Sequence, residues 1–207
     1  MAHYGMLIDL NTCVGCAACA VACKIQNGTP AEMYWCKVIY DEEGTYPHAK
    51  KRVLPVSCQH CENAPCVRAC PTGASHYDEN RNVQIDYDRC IGCRNCMAAC
   101  PYEARSCNWD DPATNTYFKG FEQTPFETAH ASKHPRGVVE KCVLCRDRVS
   151  EGKRPACVQT CITESRYFGD LDDPDSTVSK KIRELGARPL LESYGTKPAL
   201  YYAGLEE

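Results

Sequence analysis

Apolar and polar positions alternate along this chain only in short runs. Tyr4–Leu10 reads as a brief strand, and Val83, Ile85 and Tyr87 alternate with polar neighbours in a second one. Ala17–Lys24 and Asn95–Cys100 read as short helical turns. Pro71 and Pro101 stop the chain's helical runs after Cys70 and Cys100, because proline lacks an N–H and restrains the residue before it. Each proline is followed by a similar tripeptide, Thr72–Gly73–Ala74 or Tyr102–Glu103–Ala104, and then by another predicted strand. From Ser176 the pattern changes to that of an amphipathic helix. Asp175 or Ser176 is its N-cap, Val178, Ile182 and Leu185 share one face, and Gly186 ends it. Ala199–Tyr202 reads as a last strand.

Between Cys107 and Cys142 the periodicity fails. Asn108–Lys141 is long for a connection and carries Trp109, Tyr117, Phe118, Phe121 and Phe126 among Pro112, Pro125 and Pro135. It reads either as a surface loop packed on its own aromatics or as a partner contact, since aromatics are enriched at interface cores.

The cysteines change the picture. They fall into four quartets. Cys13, Cys16, Cys19 and Cys23 follow C-x2-C-x2-C-x3-C, and Cys90, Cys93, Cys96 and Cys100 repeat it. Cys58, Cys61, Cys66 and Cys70 follow C-x2-C-x4-C-x3-C, and Cys142, Cys145, Cys157 and Cys161 follow C-x2-C-x11-C-x3-C. This is an internal repeat. It takes sixteen of the 18 cysteines and leaves Cys36 and Cys107 outside, as small buried thiols. With two tryptophans and four phenylalanines in 207 residues, the apolar core is thin, and bound metal is expected to help hold the fold.

Three chemistries use this much cysteine: disulfides, zinc and iron–sulfur clusters. The first ten residues show no basic region, long apolar stretch or cleavage site, so a secreted disulfide framework is disfavoured. Zinc ribbons need two C-x2-C knuckles and no C-x3-C-Pro ending. A [4Fe–4S] cube needs four thiolates. Three come from one tight loop, and in the run C-x2-C-x2-C-x3-C-Pro the fourth cysteine serves the other cluster of a pair. By that rule Cys58, Cys61, Cys66 and Cys100 bind one cluster (C), and Cys70, Cys90, Cys93 and Cys96 the next (D). The outer quartets end in Lys24 and Ile162 instead of proline. They are expected to pair likewise, with Cys13, Cys16, Cys19 and Cys161 as cluster A and Cys23, Cys142, Cys145 and Cys157 as cluster B.

Gly15 and Gly92 sit between ligands, where backbone N–H groups must approach sulfide. Lys24, Arg68, Arg94, Lys141 and Arg146 adjoin or lie close to ligands and are candidates to offset cluster charge. His60 reads as a hydrogen-bond donor near a cluster or as a surface residue. The net charge of −3 gives no reason to expect nucleic acid, and no window approaches the roughly 18–20 apolar residues that span a membrane. No Ser–His–Asp order, phosphate loop or dinucleotide fingerprint is visible, and four thiolates per cube leave no open position for substrate. The expected chemistry is one-electron transfer. A free poly-ferredoxin carrier and, from another class, a zinc-stapled interaction module are the alternatives.

A strand, a cysteine loop, a short helix and a strand, repeated, resembles the bacterial ferredoxins. The fold class expected is α+β: two interleaved ferredoxin-like units around four clusters, with a long loop and a C-terminal helical extension. The outer unit takes 1–49 plus 139–170, the inner unit 50–110, the aromatic loop 108–141 and the extension 171–207. The whole chain resembles the four-cluster iron–sulfur subunits of dimethyl sulfoxide reductase-family molybdopterin oxidoreductases. The resemblance rests on Ile8–Asp9 before CVGCAACAVACK, on SCQHCENAPCVRACPTGA, on CIGCRNCMAACPYEAR, and on KCVLCRDRVSEGKRPACVQTC followed by Phe168–Gly169–Asp170. Gly152–Lys153–Arg154–Pro155–Ala156–Cys157 and Gly195–Thr196–Lys197–Pro198 look closest to the polysulfide, thiosulfate, tetrathionate and arsenate reductase branch.

That resemblance implies a non-catalytic subunit in a complex of anaerobic respiration. It implies four [4Fe–4S] clusters here, and a molybdopterin cofactor only in a large catalytic partner. It also implies a membrane quinol dehydrogenase subunit at the other end, and export beside a partner that bears the twin-arginine signal. A cytoplasmic complex is the alternative. Some relatives replace one ligand and hold a three-iron cluster, whereas here all sixteen positions are cysteine.

Overall fold

Strand β1, Tyr4–Asp9, is buried from Gly5 to Asp9 and lies in the interior of a four-stranded sheet. A computed structural model describes residues 2–111 and 113–205. After β1 come α1 (Ala18–Asn27), β2 (Cys36–Glu43), β3 (Lys50–Ser57), α2 (Pro65–Arg68), β4 (Ser75–Tyr77) and β5 (Val83–Ile85). Then follow α3 (Asn95–Ala98), β6 (Ser106–Cys107), α4 (Pro125–Ala131), β7 (Val139–Glu140), α5 (Arg146–Ser150) and α6 (Ala156–Gln159). The chain closes with β8 (Arg166–Asp170), α7 (Thr177–Glu184), β9 (Arg188–Pro189), a 3₁₀ turn at Glu192–Tyr194 and β10 (Leu200–Ala203). It is a small α+β protein of short helices and strands.

The main sheet runs β8-β1-β10-β9, with β1 antiparallel to β8 and parallel to β10. Alternate residues of a strand face opposite sides, and here the two faces differ in kind. Met6 and Ile8 face a core that holds Cys19, Cys23, Cys36 and Cys157 with Trp35, Leu144 and Tyr202. Leu7 faces the other way, onto Val178 of α7 and Ala203. Burying each such side chain stabilises the fold by about 1.5–3 kcal/mol. A separate core joins Cys61, Cys66, Cys96 and Cys107 with Ala64, Val83 and Val139. Both cysteine-bearing cores thus replace much of their hydrocarbon with sulfur.

The predicted strands at 4–10, 83–87 and 199–202 and the helix after Ser176 are present, each within a few residues. The Ser176 hydroxyl accepts from Ser179 N–H at 3.2 Å, capping α7. Helix α1 runs ten residues, on past Cys23, which no proline follows, and it ends at Gly28 in the left-handed region. The β2–β3 hairpin is not apparent in the pattern. Its outer half is exposed, and it reaches back over the first cysteine loop, where Tyr40 Oη donates to Gly15 O at 2.6 Å.

The segment 108–141 is more structured than a loop. Thr124 and Glu127 form a reciprocal capping box that starts α4, with Pro125 in the first turn. Its aromatics do not gather into one cluster. Trp109, Phe118 and Phe121 are exposed, Trp109 lies against the Arg94 guanidinium, and Tyr117 Oη donates to Thr29 O. The segment is anchored instead by buried polar groups. His134 Nδ1 lies 2.8 Å from Glu140 Oε2, His134 Nε2 lies 3.0 Å from Asn27 O, and Asn108 Nδ2 donates to His134 O at 2.7 Å.

Candidate functional site

The four cysteine loops take the same turn. In each, the residue before the second cysteine has positive φ: Gly15 at 67°, His60 at 45°, Gly92 at 68° and Leu144 at 52°. Glycine adopts this freely, whereas other residues pay about 1–3 kcal/mol and need the surroundings to hold them there. His60 and Leu144 are both buried, and burial supplies that hold. A left-handed residue in such a turn lets successive backbone N–H groups converge on one side, a concavity suited to anions and iron–sulfur groups. Space is also tight at the glycines. A Cβ on Gly92 would lie 2.2 Å from Gly137 O, and one on Gly15 would lie 2.6 Å from Val53 Cγ1.

Cysteines from different quartets meet around cavities. Cys23 of the first quartet lines one with Cys142, Cys145 and Cys157 of the fourth; its empty space, mouth included, is about 360 Å³. Cys70 of the second lines another with Cys90, Cys93 and Cys96 of the third. Cys100 comes to Cys61, whose thiol burial pushes up to about 12, with repulsion from Cys58, Cys66 and Cys100 adding to it. Of the remaining four, Cys19 is buried, Cys13 and Cys161 are half-buried and Cys16 is exposed. Among the described residues no three Cys, His, Asp or Glu side chains close on a single ion position.

The electrostatics suit a large anionic group. Burial pushes the Cys142 thiol up to about 12, and nearby Cys157, Cys145 and Cys58 push the same way. Burial likewise raises Cys23, reinforced by Cys142, Cys157 and Cys145. The protein alone opposes ionising these thiols together, so something must share their charge. Soft thiolates gathered four to a cavity fit a [4Fe–4S] core, whose irons take up all four. Two quartet-ending cysteines differ. Burial works against ionising Cys70 and Cys161, but donors from Ser75 and Thr72, and from Ser165 and Thr163, outweigh it and hold both thiols low.

Of the five basic residues flagged by position, only Lys141 is buried against the cysteines. Lys24 Nζ is spent on carbonyls, donating to Pro30 O at 2.6 Å and Met33 O at 2.9 Å. Arg68 donates to Asn63, Arg94 stacks on Trp109, and Arg146 pairs at the surface with Asp147. The guanidinium groups that do touch sulfur are Arg105, on Cys66 Sγ at 2.9 Å, and Arg166, on Cys19 Sγ at 3.3 Å. Sequence reasoning misses both. The signal is there: each stands five residues past the last cysteine of its quartet, after a small residue, in Glu103–Ala104–Arg105 and Glu164–Ser165–Arg166. His60 is fully buried beside Cys61, and Cys36 and Cys107 are buried thiols.

This is the architecture of an iron–sulfur protein of the ferredoxin kind. Residues 49–120 and 111–171 match the 4Fe-4S dicluster domain. The chain is 44% identical to the putative dimethyl sulfoxide reductase iron–sulfur subunit of Halobacterium salinarum, over 98% of this chain and 79% of the relative. It is 39% identical to the arsenate respiratory reductase iron–sulfur subunit of Shewanella sp. strain ANA-3, over 96% of this chain and 94% of the relative. A sulfite dehydrogenase subunit of Allochromatium vinosum is 38% identical, over 98% of this chain and 83% of that one. The chain therefore belongs to the 4Fe-4S dicluster family, among the iron–sulfur subunits of dimethyl sulfoxide reductase-type oxidoreductases. It is an electron-transfer subunit, and the catalysis belongs to another chain.

Proposed function

We propose that the chain binds four [4Fe–4S] clusters on sixteen cysteines and relays single electrons between a molybdopterin catalytic subunit and a quinol-linked membrane subunit. Cluster A takes Cys13, Cys16, Cys19 and Cys161, and cluster B takes Cys23, Cys142, Cys145 and Cys157. Cluster C takes Cys58, Cys61, Cys66 and Cys100, and cluster D takes Cys70, Cys90, Cys93 and Cys96. The observation that carries this reading is the exchange of the fourth cysteine between quartets: Cys23 lines the cavity of the fourth, and Cys70 that of the third. Clusters A and B define an outer unit of 1–49 plus 139–170, and C and D an inner unit of 50–110, the two interleaved in the chain.

When bound, such clusters supply outer-sphere transfer of one electron at a time. The protein's own share is to hold the ligands, exclude water and set the local charge. Cys58 of the inner unit acts electrostatically on Cys142 of the outer one, which supports the order A, B, C, D along one path. The partners follow from the relatives, which are named as subunits of reductase and dehydrogenase complexes. No helix among the described residues is long and apolar enough to cross a membrane. We place the complex on the outer face of the cytoplasmic membrane, exported with a signal-bearing catalytic partner.

The test is anaerobic purification of the tagged chain with whatever accompanies it, followed by metal analysis. About sixteen iron and sixteen sulfide per chain, with molybdenum or tungsten in a large second chain, is the expected result. The same iron with no partner would point to a free carrier, and zinc without sulfide would overturn the reading.

A further inference from the structure

The four cysteine groups are separated by three junctions, and each junction holds one buried cationic side chain. Arg105 is 4% exposed. Its Nη2 donates to Cys66 Sγ at 2.9 Å and its Nη1 to Ser75 Oγ at 2.8 Å. The same guanidinium reaches Cys96, so it spans groups C and D. Arg166, 5% exposed, repeats this in the outer pair. Its Nη2 lies 3.3 Å from Cys19 Sγ and 3.7 Å from Cys36 Sγ, and it also reaches Cys157, so it spans A and B. Apart from Cys36, the cysteine sulfur in each contact is the third of a quartet: Cys19, Cys66, Cys96 and Cys157. Lys141 fills the middle junction, 1% exposed, next to Cys142 of group B and close to Cys58 and Cys66 of group C. Its Nζ is fixed by donating to Cys142 O at 2.7 Å and to Val83 O.

We propose that these three cations set the reduction potentials of the clusters they separate, each acting on its two neighbours: Arg166 on A and B, Lys141 on B and C, Arg105 on C and D. This rests on the four-cluster reading above. The physical reason is charge. Reduction adds one negative charge to a cluster, and a fixed cation in contact with its ligand sulfur favours that addition. The attraction is strong because the cations are buried, and it falls with distance, so the two clusters each cation touches feel it most. Arginine stays charged under all working conditions and presents a fork that can serve two sulfurs at once. One cation shared between neighbours therefore keeps two potentials together, which suits a path that must pass electrons without a deep trap.

The experiment is an anaerobic redox titration of the intact iron-loaded protein, followed by electron paramagnetic resonance, with iron per chain measured on the same samples. Arg105→Gln is expected to lower two of the four potentials, and Arg166→Gln the other two. Each shift should be at least tenfold in the oxidised-to-reduced ratio at fixed potential, about 59 mV for one electron. Lys141→Gln is expected to move one potential from each pair. Equal shifts at all four clusters, or none with iron retained, would overturn the proposal. If Arg105→Gln loses iron, Lys141→Gln decides: a fall confined to one potential of each pair supports the proposal, and equal shifts at all four clusters refute it. A wild-type protein with far fewer than sixteen iron would instead sink the four-cluster reading itself.

Discussion

The inner and outer units use the same parts but reach them differently. In the inner unit the two quartets are close in sequence, and Pro71 and Pro101 end α2 and α3 at the same place. In the outer unit the quartets lie near opposite ends of the chain, with Lys24 and Ile162 where the prolines would be. There α1 runs on to Asn27, α6 stops at Gln159 with no proline after Cys161, and the pairing of β1 with β8 joins the two halves. Yet the loop turn, the shared cavity and the arginine on sulfur recur in both. The loop turn, and an arginine five residues beyond Cys100 and Cys161, thus recur in both units. The connecting chain is free to vary.

The sharpest way to break the comparison is to cut the crossing cysteine of the outer unit. Cys23→Ser should cost about four iron per chain, taken from the group of Cys142, Cys145 and Cys157, and leave Cys13, Cys16 and Cys19 protected from alkylation. Loss from Cys13, Cys16 and Cys19 instead would show that the outer unit binds within quartets, unlike the inner one.

A second effect separates the two loop glycines. Gly92→Ala should destabilise the iron-loaded protein more than Gly15→Ala, because Gly92 faces the fixed carbonyl of Gly137 and Gly15 faces the movable Val53 side chain. Both also carry the positive-φ penalty of about 1–3 kcal/mol. Thermal unfolding of the two variants reads the difference, and equal melting temperatures would mean that the Gly137 carbonyl yields.

The smallest effect lies outside both units. Ser176→Ala removes the hydroxyl that caps α7 and should cost about 1 kcal/mol with iron content unchanged. A loss of iron in this variant would mean that α7 supports the cluster core more closely than its packing on Leu7 suggests.

The sequence makes the chemistry legible because cluster ligands must be cysteine at near-fixed spacing. It makes β5 and α7 legible because one face of each is apolar, and β1 because Met6, Leu7 and Ile8 form a short apolar run. What it hides is long-range. Arg105 and Arg166 look like ordinary surface arginines until the fold brings them to Cys66 and Cys19. The exposed outer half of the β2–β3 hairpin shows little patterning, and α4 is short and flanked by prolines, so neither stands out by period. The parallel pairing of β10 with β1 joins the last strand of the chain to the first, and local patterning carries no trace of it.

The central claim is that each cluster draws three cysteines from one quartet and the fourth from another. The most direct measurement is thiol alkylation mapped by mass spectrometry on anaerobic Cys100→Ser. The account predicts that Cys58, Cys61 and Cys66 become reactive while Cys90, Cys93 and Cys96 stay protected. Reactivity at Cys90, Cys93 and Cys96 with Cys58, Cys61 and Cys66 still protected would contradict it.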